Sequence, residues 1–313
     1  LFEVNLCIHS ANADNHLKED RVTGVVKGDT CLSIYFLPSG MKQRICLLYF
    51  VLMLFALSGG CSKATLSKQT FLRQDSIVHI YLLMGQSNMA GRGIVEPEDQ
   101  QLHSRVFMLD KNNTWQPARD PMHFDKPIAG VGPGLSFGKQ MAEANKAITI
   151  GLVPSAAGGS SIDAWKKGGY HDQTNSYPYD EAIKRAKLAS QQGEIKGVIW
   201  HQGESDSKPG QTDTYSQKLQ ELIDNIRKEL ALPDLPFIVA TLPDFYVNNV
   251  PEARLINQAL QSIPEQVHNT ACISTSDLAH KGDTIHFDSS SARKLGKEYT
   301  KAMQALQQKT PTK

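Results

Sequence analysis

One serine and one aspartate–histidine pair, far apart in this chain, have the types and spacing to do covalent chemistry. Ser87 lies in Gly85-Gln86-Ser87-Asn88-Met89-Ala90-Gly91-Arg92-Gly93, directly after the apolar run 77–84. A serine at the exit of a buried strand, on a glycine-rich turn, is held at a sheet edge with its hydroxyl free, as a nucleophile must be. Near the other end, Asp283-Thr284-Ile285-His286 offers an acid and an imidazole three residues apart. The imidazole can take the hydroxyl proton, and the carboxylate can orient it and stabilise the imidazolium. Ser87, His286 and Asp283 thus read as nucleophile, base and orienter. Each also has a plainer use: a helix cap for Ser87, a polar loop histidine for His286, a turn aspartate after Gly282 for Asp283. His201 and Asp288 are the nearest substitutes for base and acid.

Such residues need a scaffold that brings them together. Strands are expected at 77–84, 105–109, 147–153, 195–200, 237–242 and 271–274, and helices at 135–144, 179–191, 212–230, 251–263 and 289–307. The stretch 212–230 is the clearest helix, with Tyr215, Leu219, Leu222, Ile223 and Ile226 on one face. Alternation of buried strand and helix specifies an α/β domain, a parallel sheet with helices on both faces. Its ligand site lies beyond the carboxyl ends of the strands. Ser87, Gly158 and Gln202 each follow an expected strand there, and Asp283 and His286 follow the last one.

Charge developing on a carbonyl oxygen needs preorganised donors, and losing one typically costs about 3–4 kcal/mol. The Ser87 amide, the Gly158 amide and the side-chain amide of Gln202 are the expected oxyanion donors, glycine allowing close backbone approach. Glu204 reads as support for the Gln202 loop or as a solvated acid. Asn88 is placed to brace the nucleophile's loop. Trp165 offers an apolar face to a sugar ring or belongs to the core. Arg92 is placed to steer an acidic sugar, or is an exposed arginine with no such role.

The block around Ser87 resembles the first block of the SGNH-type carbohydrate acetylesterases, the group of sialate O-acetylesterases and family-6 acetylxylan esterases. Gly132-Pro133-Gly134-Leu135-Ser136-Phe137, Ala157-Gly158-Gly159-Ser160-Ser161-Ile162, Trp200-His201-Gln202-Gly203-Glu204-Ser205-Asp206 and Asp283 to Phe287 are similar to further blocks, in the family's order. The resemblance covers roughly residues 77–305. It implies a three-layer α/β/α fold with a mostly parallel, flavodoxin-like central sheet. It also implies a serine esterase that deacetylates acetylated xylan or O-acetyl sialic acid and needs no cofactor. The chain departs from the family where Gln202 stands in place of the usual asparagine. Two alternatives are a catalytically silent carbohydrate-binding surface lipoprotein and an esterase or lipase acting on non-carbohydrate esters. A lipase would carry a long apolar lid, and none lies between the blocks.

The N-terminal sixty residues read as lying outside that fold. Met41-Lys42-Gln43-Arg44, the thirteen-residue apolar run 45–57 and Ser58-Gly59-Gly60-Cys61 have the pattern of a secretory signal. The run is short of the ~20 residues of a spanning helix. Cys61 reads as the lipidated N-terminus of an exported bacterial lipoprotein, periplasmic or at the cell surface; ordinary secretion is the alternative. Residues 1–40 are expected to be an over-extended gene start or a disordered leader, 41–60 a signal peptide, 61–75 a tether and 76–313 the esterase domain. Cys272 would then be the one cysteine within that domain, a small buried hydrophobe with no disulfide.

Lysine plus arginine number 33 against 32 acids. Without a basic stripe, nucleic acid is not an indicated partner. The expected partner is an acetylated carbohydrate, and a membrane would be met only through the lipid. Metal and nucleotide motifs such as H-E-x-x-H and G-x-x-x-x-G-K-[ST] are missing from the sequence. His201 and Glu204 alone make no zinc site.

Overall fold

A computed structural model describes residues 77–309 and, before them, three short strands. The chain divides into two units, 1–69 and 70–313. In the first, β1 (Leu6–Ile8), β2 (Val22–Val26) and β3 (Thr30–Ile34) form an antiparallel sheet. They fall in the stretch that the sequence set apart from the esterase domain. The expected signal peptide, Cys61 and the tether lie outside the described residues.

The second unit is a three-layer α/β/α domain. Its sheet is built from β4 (Ile77–Gly85), β5 (Val106–Leu109), β6 (Trp115–Pro117), β7 (Ile148–Pro154), β8 (Glu194–His201), β9 (Phe237–Ala240) and β10 (Thr270–Ile273), in the order β10-β9-β8-β4-β7-β5-β6. All neighbours are parallel except β5 and β6. The run β7-β4-β8-β9-β10 is the 2-1-3-4-5 order of flavodoxin-like sheets, with β5 and β6 added outside β7. β6 was not anticipated, because three residues carry too little periodicity to register as a strand.

Burial on both faces explains why β4 reads as an apolar run broken only at the half-buried His79. Val78, Ile80, Leu82 and Met84 pack into one core with α3 (Pro178–Ala189), α4 (Tyr215–Leu230) and α6 (Ala253–Gln266). Tyr81 and Leu83 point the other way, into a core with α2 (Pro133–Ala144) and α7 (Ser289–Lys309). The expected face of α4 is buried as a set, from Tyr215 to Ile226. Helices α2 and α7 approach closely: a methyl at Gly296 would lie 2.2 Å from Pro133 O. Among the described residues no helix is long and apolar enough to cross a membrane.

The chain enters the sheet at its middle strand, β4, and then builds outward on both sides. The chain therefore leaves β4 and β8 toward opposite edges of the sheet, the switch point at whose carboxyl ends open α/β sheets usually place their ligands.

Candidate active site

Ser87 is positioned by what precedes it. Gly85 ends β4 at φ +133°, in the region that favours glycine, and a Cβ there would lie 2.1 Å from His201 O. That contact lets Gln86 N–H donate to His201 O at 2.9 Å. The chain then turns into the short helix α1 (Ser87–Ala90), whose Met89 and Ala90 amides donate to Gln86 O. Ser87 N–H, at the helix start, has no hydrogen-bond partner among the described residues.

The loop between β10 and α7 supplies the other two groups. Asp283 Oδ1 accepts from Ile285 N–H at 3.0 Å and from His286 N–H at 2.8 Å. This side-chain turn holds Thr284 at φ +59°, a strained conformation for a β-branched residue. Asp283 Oδ2 lies 2.7 Å from His286 Nδ1, and His286 Nε2 lies 3.0 Å from Ser87 Oγ. Burial works against the Asp283 charge, but the hydrogen bonds from His286 and Ile285 outweigh it and push the carboxyl down to about 2. An ionised carboxylate only accepts, so Nδ1 carries the proton and Nε2 offers its lone pair to the serine hydroxyl. Burial lowers the His286 pKa below the usual histidine value, with Asp283 opposing. The imidazole is thus neutral at neutral pH and able to take a proton.

Asn88 ties these two parts of the chain together. Its Nδ2 donates to Ile285 O at 3.0 Å, and its Oδ1 accepts from Phe287 N–H at 3.1 Å, clasping the loop on either side of His286. The same Nδ2 donates to Glu204 Oε1 at 2.6 Å. Glu204 is buried, not solvated, and Tyr246 OH, on the short helix α5 (Asp244–Val247), donates to its backbone carbonyl. Burial pushes the Glu204 carboxyl up to about 7.

The structure moves other expected residues away from the chemistry. Gln202 is fully buried; its Nε2 donates to Ser160 O, Gln86 Oε1 and Asp206 Oδ2, and its Oε1 accepts from Tyr215 OH. An amide with two N–H hydrogens so engaged is a brace under the loops, not an oxyanion donor. The Gly158 amide is also taken, donating to Asp125 Oδ2 at 2.9 Å. A methyl there would lie 2.4 Å from Arg92 Nη2 and 2.5 Å from Asp125 Oδ2, so a larger residue would displace that ion pair. Arg92 is buried in an ion pair with Asp125 at 2.6 Å, so it is neither exposed nor placed to steer an acidic sugar. Trp165 belongs to the core: its Nε1 donates to Ser160 Oγ, and it packs edge-on against Trp200. Of the three expected oxyanion donors, Ser87 N–H is the one left unpaired.

The substitutes considered for base and acid lie elsewhere. His201 is fully buried, pushed down to about 3 by burial, with neither ring nitrogen hydrogen-bonded. Asp288 accepts from Ser291 N–H at the start of α7. Cys272 is a free, half-buried cysteine whose thiol burial pushes up to about 12. Among the described residues no group of three or more His, Cys, Asp or Glu is placed to hold a metal ion. Asp125 was missed in the sequence: Phe124-Asp125-Lys126-Pro127 carries only turn signals, and its partners Arg92 and Gly158 are remote.

Residues 77–305 match the family described as "Carbohydrate esterase, sialic acid-specific acetylesterase". The "Probable carbohydrate esterase At4g34215" of Arabidopsis thaliana is 33% identical over 242 residues, 69% of this chain and 86% of that protein. The crystal structure of that Arabidopsis protein superposes with a TM-score of 0.64 at 29% identity, covering 72% of this chain and 98% of the other. NanS shares the fold at 17% identity, with a TM-score of 0.63 over 75% of this chain and 99% of its own. The family match spans most of the chain and contains Ser87, Asp283 and His286; the chain belongs to the carbohydrate esterase family of sialic acid-specific acetylesterases.

Proposed function

We propose that this esterase removes O-acetyl groups from carbohydrate through an acetyl-serine intermediate. The observation that carries the reading is the unbroken relay from Asp283 Oδ2 through His286 to Ser87 Oγ, at 2.7 and 3.0 Å. His286 Nε2 takes the hydroxyl proton as Ser87 Oγ bonds to the acetyl carbonyl carbon. Ser87 N–H donates to the oxygen that becomes negative, and Asp283 stabilises the imidazolium. The tetrahedral intermediate collapses, the sugar–oxygen bond to the acyl carbon breaks, and His286 gives its proton to the leaving sugar hydroxyl. Water, deprotonated by the same imidazole, attacks the acetyl-serine; its collapse returns a proton to Ser87 and releases acetate. No step calls on a cofactor. Acetylated xylan and O-acetyl sialic acid are the two substrate classes in view. With the pattern of 41–61 read as an export signal, the enzyme acts outside the cytoplasm, tethered by a lipid on Cys61.

Acetate release from both substrates by the full chain, with Ser87→Ala beside it, tests this. Release that the variant lacks is the expected result. No release from either substrate or from an aryl acetate would overturn the reading in favour of a binding protein. Activity retained by Ser87→Ala would sink the nucleophile assignment.

A further inference from the structure

Of the phenylalanine, tyrosine and tryptophan side chains among the described residues, three are exposed: Phe124, Tyr170 and Tyr177. The Phe124 ring is covered by the Arg185 guanidinium, 4.9 Å from its centroid. The two tyrosines are 45% and 48% exposed and stand together, their ring centroids 5.1 Å apart. A single exposed ring needs no explanation. A fixed pair of tyrosines is a ready contact surface, amphipathic and cheap in conformational entropy.

Local backbone geometry builds the pair. Residues 171–176 form a tight hairpin in which His171 N–H donates to Ser176 O at 2.9 Å and Ser176 N–H to His171 O at 3.3 Å. Asn175 lies in its turn at φ +48°, a left-handed conformation that asparagine tolerates. Tyr170 and Tyr177 are the next residues outward on the two arms, so their side chains sit side by side, on the face opposite to that of His171. His171 is accordingly buried while both rings meet solvent. Tyr170 OH donates to Asn175 Oδ1, and Tyr177 N–H donates to Glu181 Oε1 at 3.3 Å. The surface is therefore set before a ligand arrives, which lowers the cost of binding.

The hairpin is fastened to the edge of the sheet that carries the relay. His171 Nε2 donates to Gly158 O at 3.2 Å, and Gln173 Oε1 accepts from Lys126 Nζ at 2.8 Å. Ala157 N–H, one residue before Gly158, donates to Gly85 O at 2.9 Å, two residues before Ser87.

The surroundings select the occupant. Between the tyrosines the hairpin carries only polar side chains, so its apolar surface is confined to the two rings. That is too little for the core of a protein interface or for a lipid surface. Residues 168–183 hold three acids, Asp172, Asp180 and Glu181, and no lysine or arginine. Nothing in that segment neutralises a phosphate or draws an anionic chain. A sugar ring has C–H bonds on its faces and hydroxyls around its rim. Aromatic faces beside the exposed Asp172, Gln173 and Asn175 answer both, by stacking and by hydrogen bonds to carboxylate and amide.

We propose that Tyr170 and Tyr177 dock a neutral glycan chain, gripping it beyond the acetylated unit that reaches Ser87. The proposal rests on the carbohydrate reading above and extends it from one acetylated sugar to a polymer.

Xylohexaose and mannohexaose carry no acetyl group, so calorimetry on the full chain reads their binding without turnover. At least one should bind, about tenfold more weakly when Tyr170→Ala and Tyr177→Ala are combined. Replacing both by phenylalanine keeps the rings and should keep the affinity. Should the alanine pair fail to fold, Tyr177→Ala alone leaves the Tyr170–Asn175 hydrogen bond in place and carries the same test. On the acetylated form of the chain that binds, the alanine pair should raise KM and not lower kcat. Neither hexaose binding, or equal binding by the parent and alanine proteins, would overturn the platform. Tyrosine-dependent binding of sialyllactose alone would overturn its neutral character. Hexaose binding does not require Ser87 to react, so a failed esterase assay and a failed platform are told apart.

Discussion

Asn88 Nδ2 lies 2.6 Å from Glu204 Oε1, joining the residue after Ser87 to a buried carboxyl. The same amide clasps the loop around His286. One side chain therefore ties together the segments that carry Ser87 and His286, which are 199 residues apart in sequence.

Asn88→Ala should release that loop. Misplacing a catalytic group by about 1 Å costs roughly 100-fold, so kcat on an aryl acetate is expected to fall 10- to 100-fold. Amide exchange across residues 280–288 should quicken in step. Unchanged kcat would show that the loop holds its position without the clasp.

Glu204 should make stability depend on pH. Its folded pKa, about 7, is above the ordinary value of 4.5. A raised carboxyl pKa favours the fold when protonated, and that contribution is complete below about 4.5 and lost as pH rises through about 7. Glu204→Gln keeps an oxygen for Asn88 but cannot ionise. Its urea midpoint should therefore gain on that of the parent protein between pH 5 and pH 8. A constant difference would mean that Glu204 does not titrate there.

As the proposed base, His286 must be neutral to act. The limb of kcat/KM for aryl acetate should rise with pH and be centred below the usual histidine value of 6.5. Asp283 opposes the lowering of His286, so Asp283→Asn should move the limb further down. It should also cost about 10⁴-fold in kcat by loosening tautomer control. A limb centred above 6.5 in the parent protein would contradict the burial of His286.

Gln202→Ala separates a brace from an oxyanion donor. Loss of the brace leaves the buried Ser160 carbonyl unpaired and takes one partner each from Asp206 Oδ2 and Tyr215 OH, which keep Ile162 N–H and the residue 202 carbonyl, and an unpaired buried group costs about 1–3 kcal/mol. A drop in melting temperature is therefore expected. Wild-type stability with a kcat loss of 100-fold or more would return Gln202 to the oxyanion hole.

The α/β layering and the places of Ser87, Asp283 and His286 were legible in the sequence because each rests on local pattern. Apolar runs buried on both faces read as strands, and periodicity marked α4. Gly85 must be glycine for Gln86 to reach His201 O, and the Asp283–His286 turn closes within four residues. The direction in which Gly158, Gln202, Trp165 and Arg92 face was decided only in the folded molecule. Each follows a strand or lies on a loop, where sequence spacing gives position along the sheet edge but not which neighbours compete for a hydrogen bond. Gln202 was claimed by Asp206 on its own loop and by Tyr215 and the more distant Ser160, and the Gly158 amide by Asp125, 33 residues away. Local periodicity places an element; long-range packing chooses the partner of each polar atom, and here that choice left Ser87 N–H as the free donor.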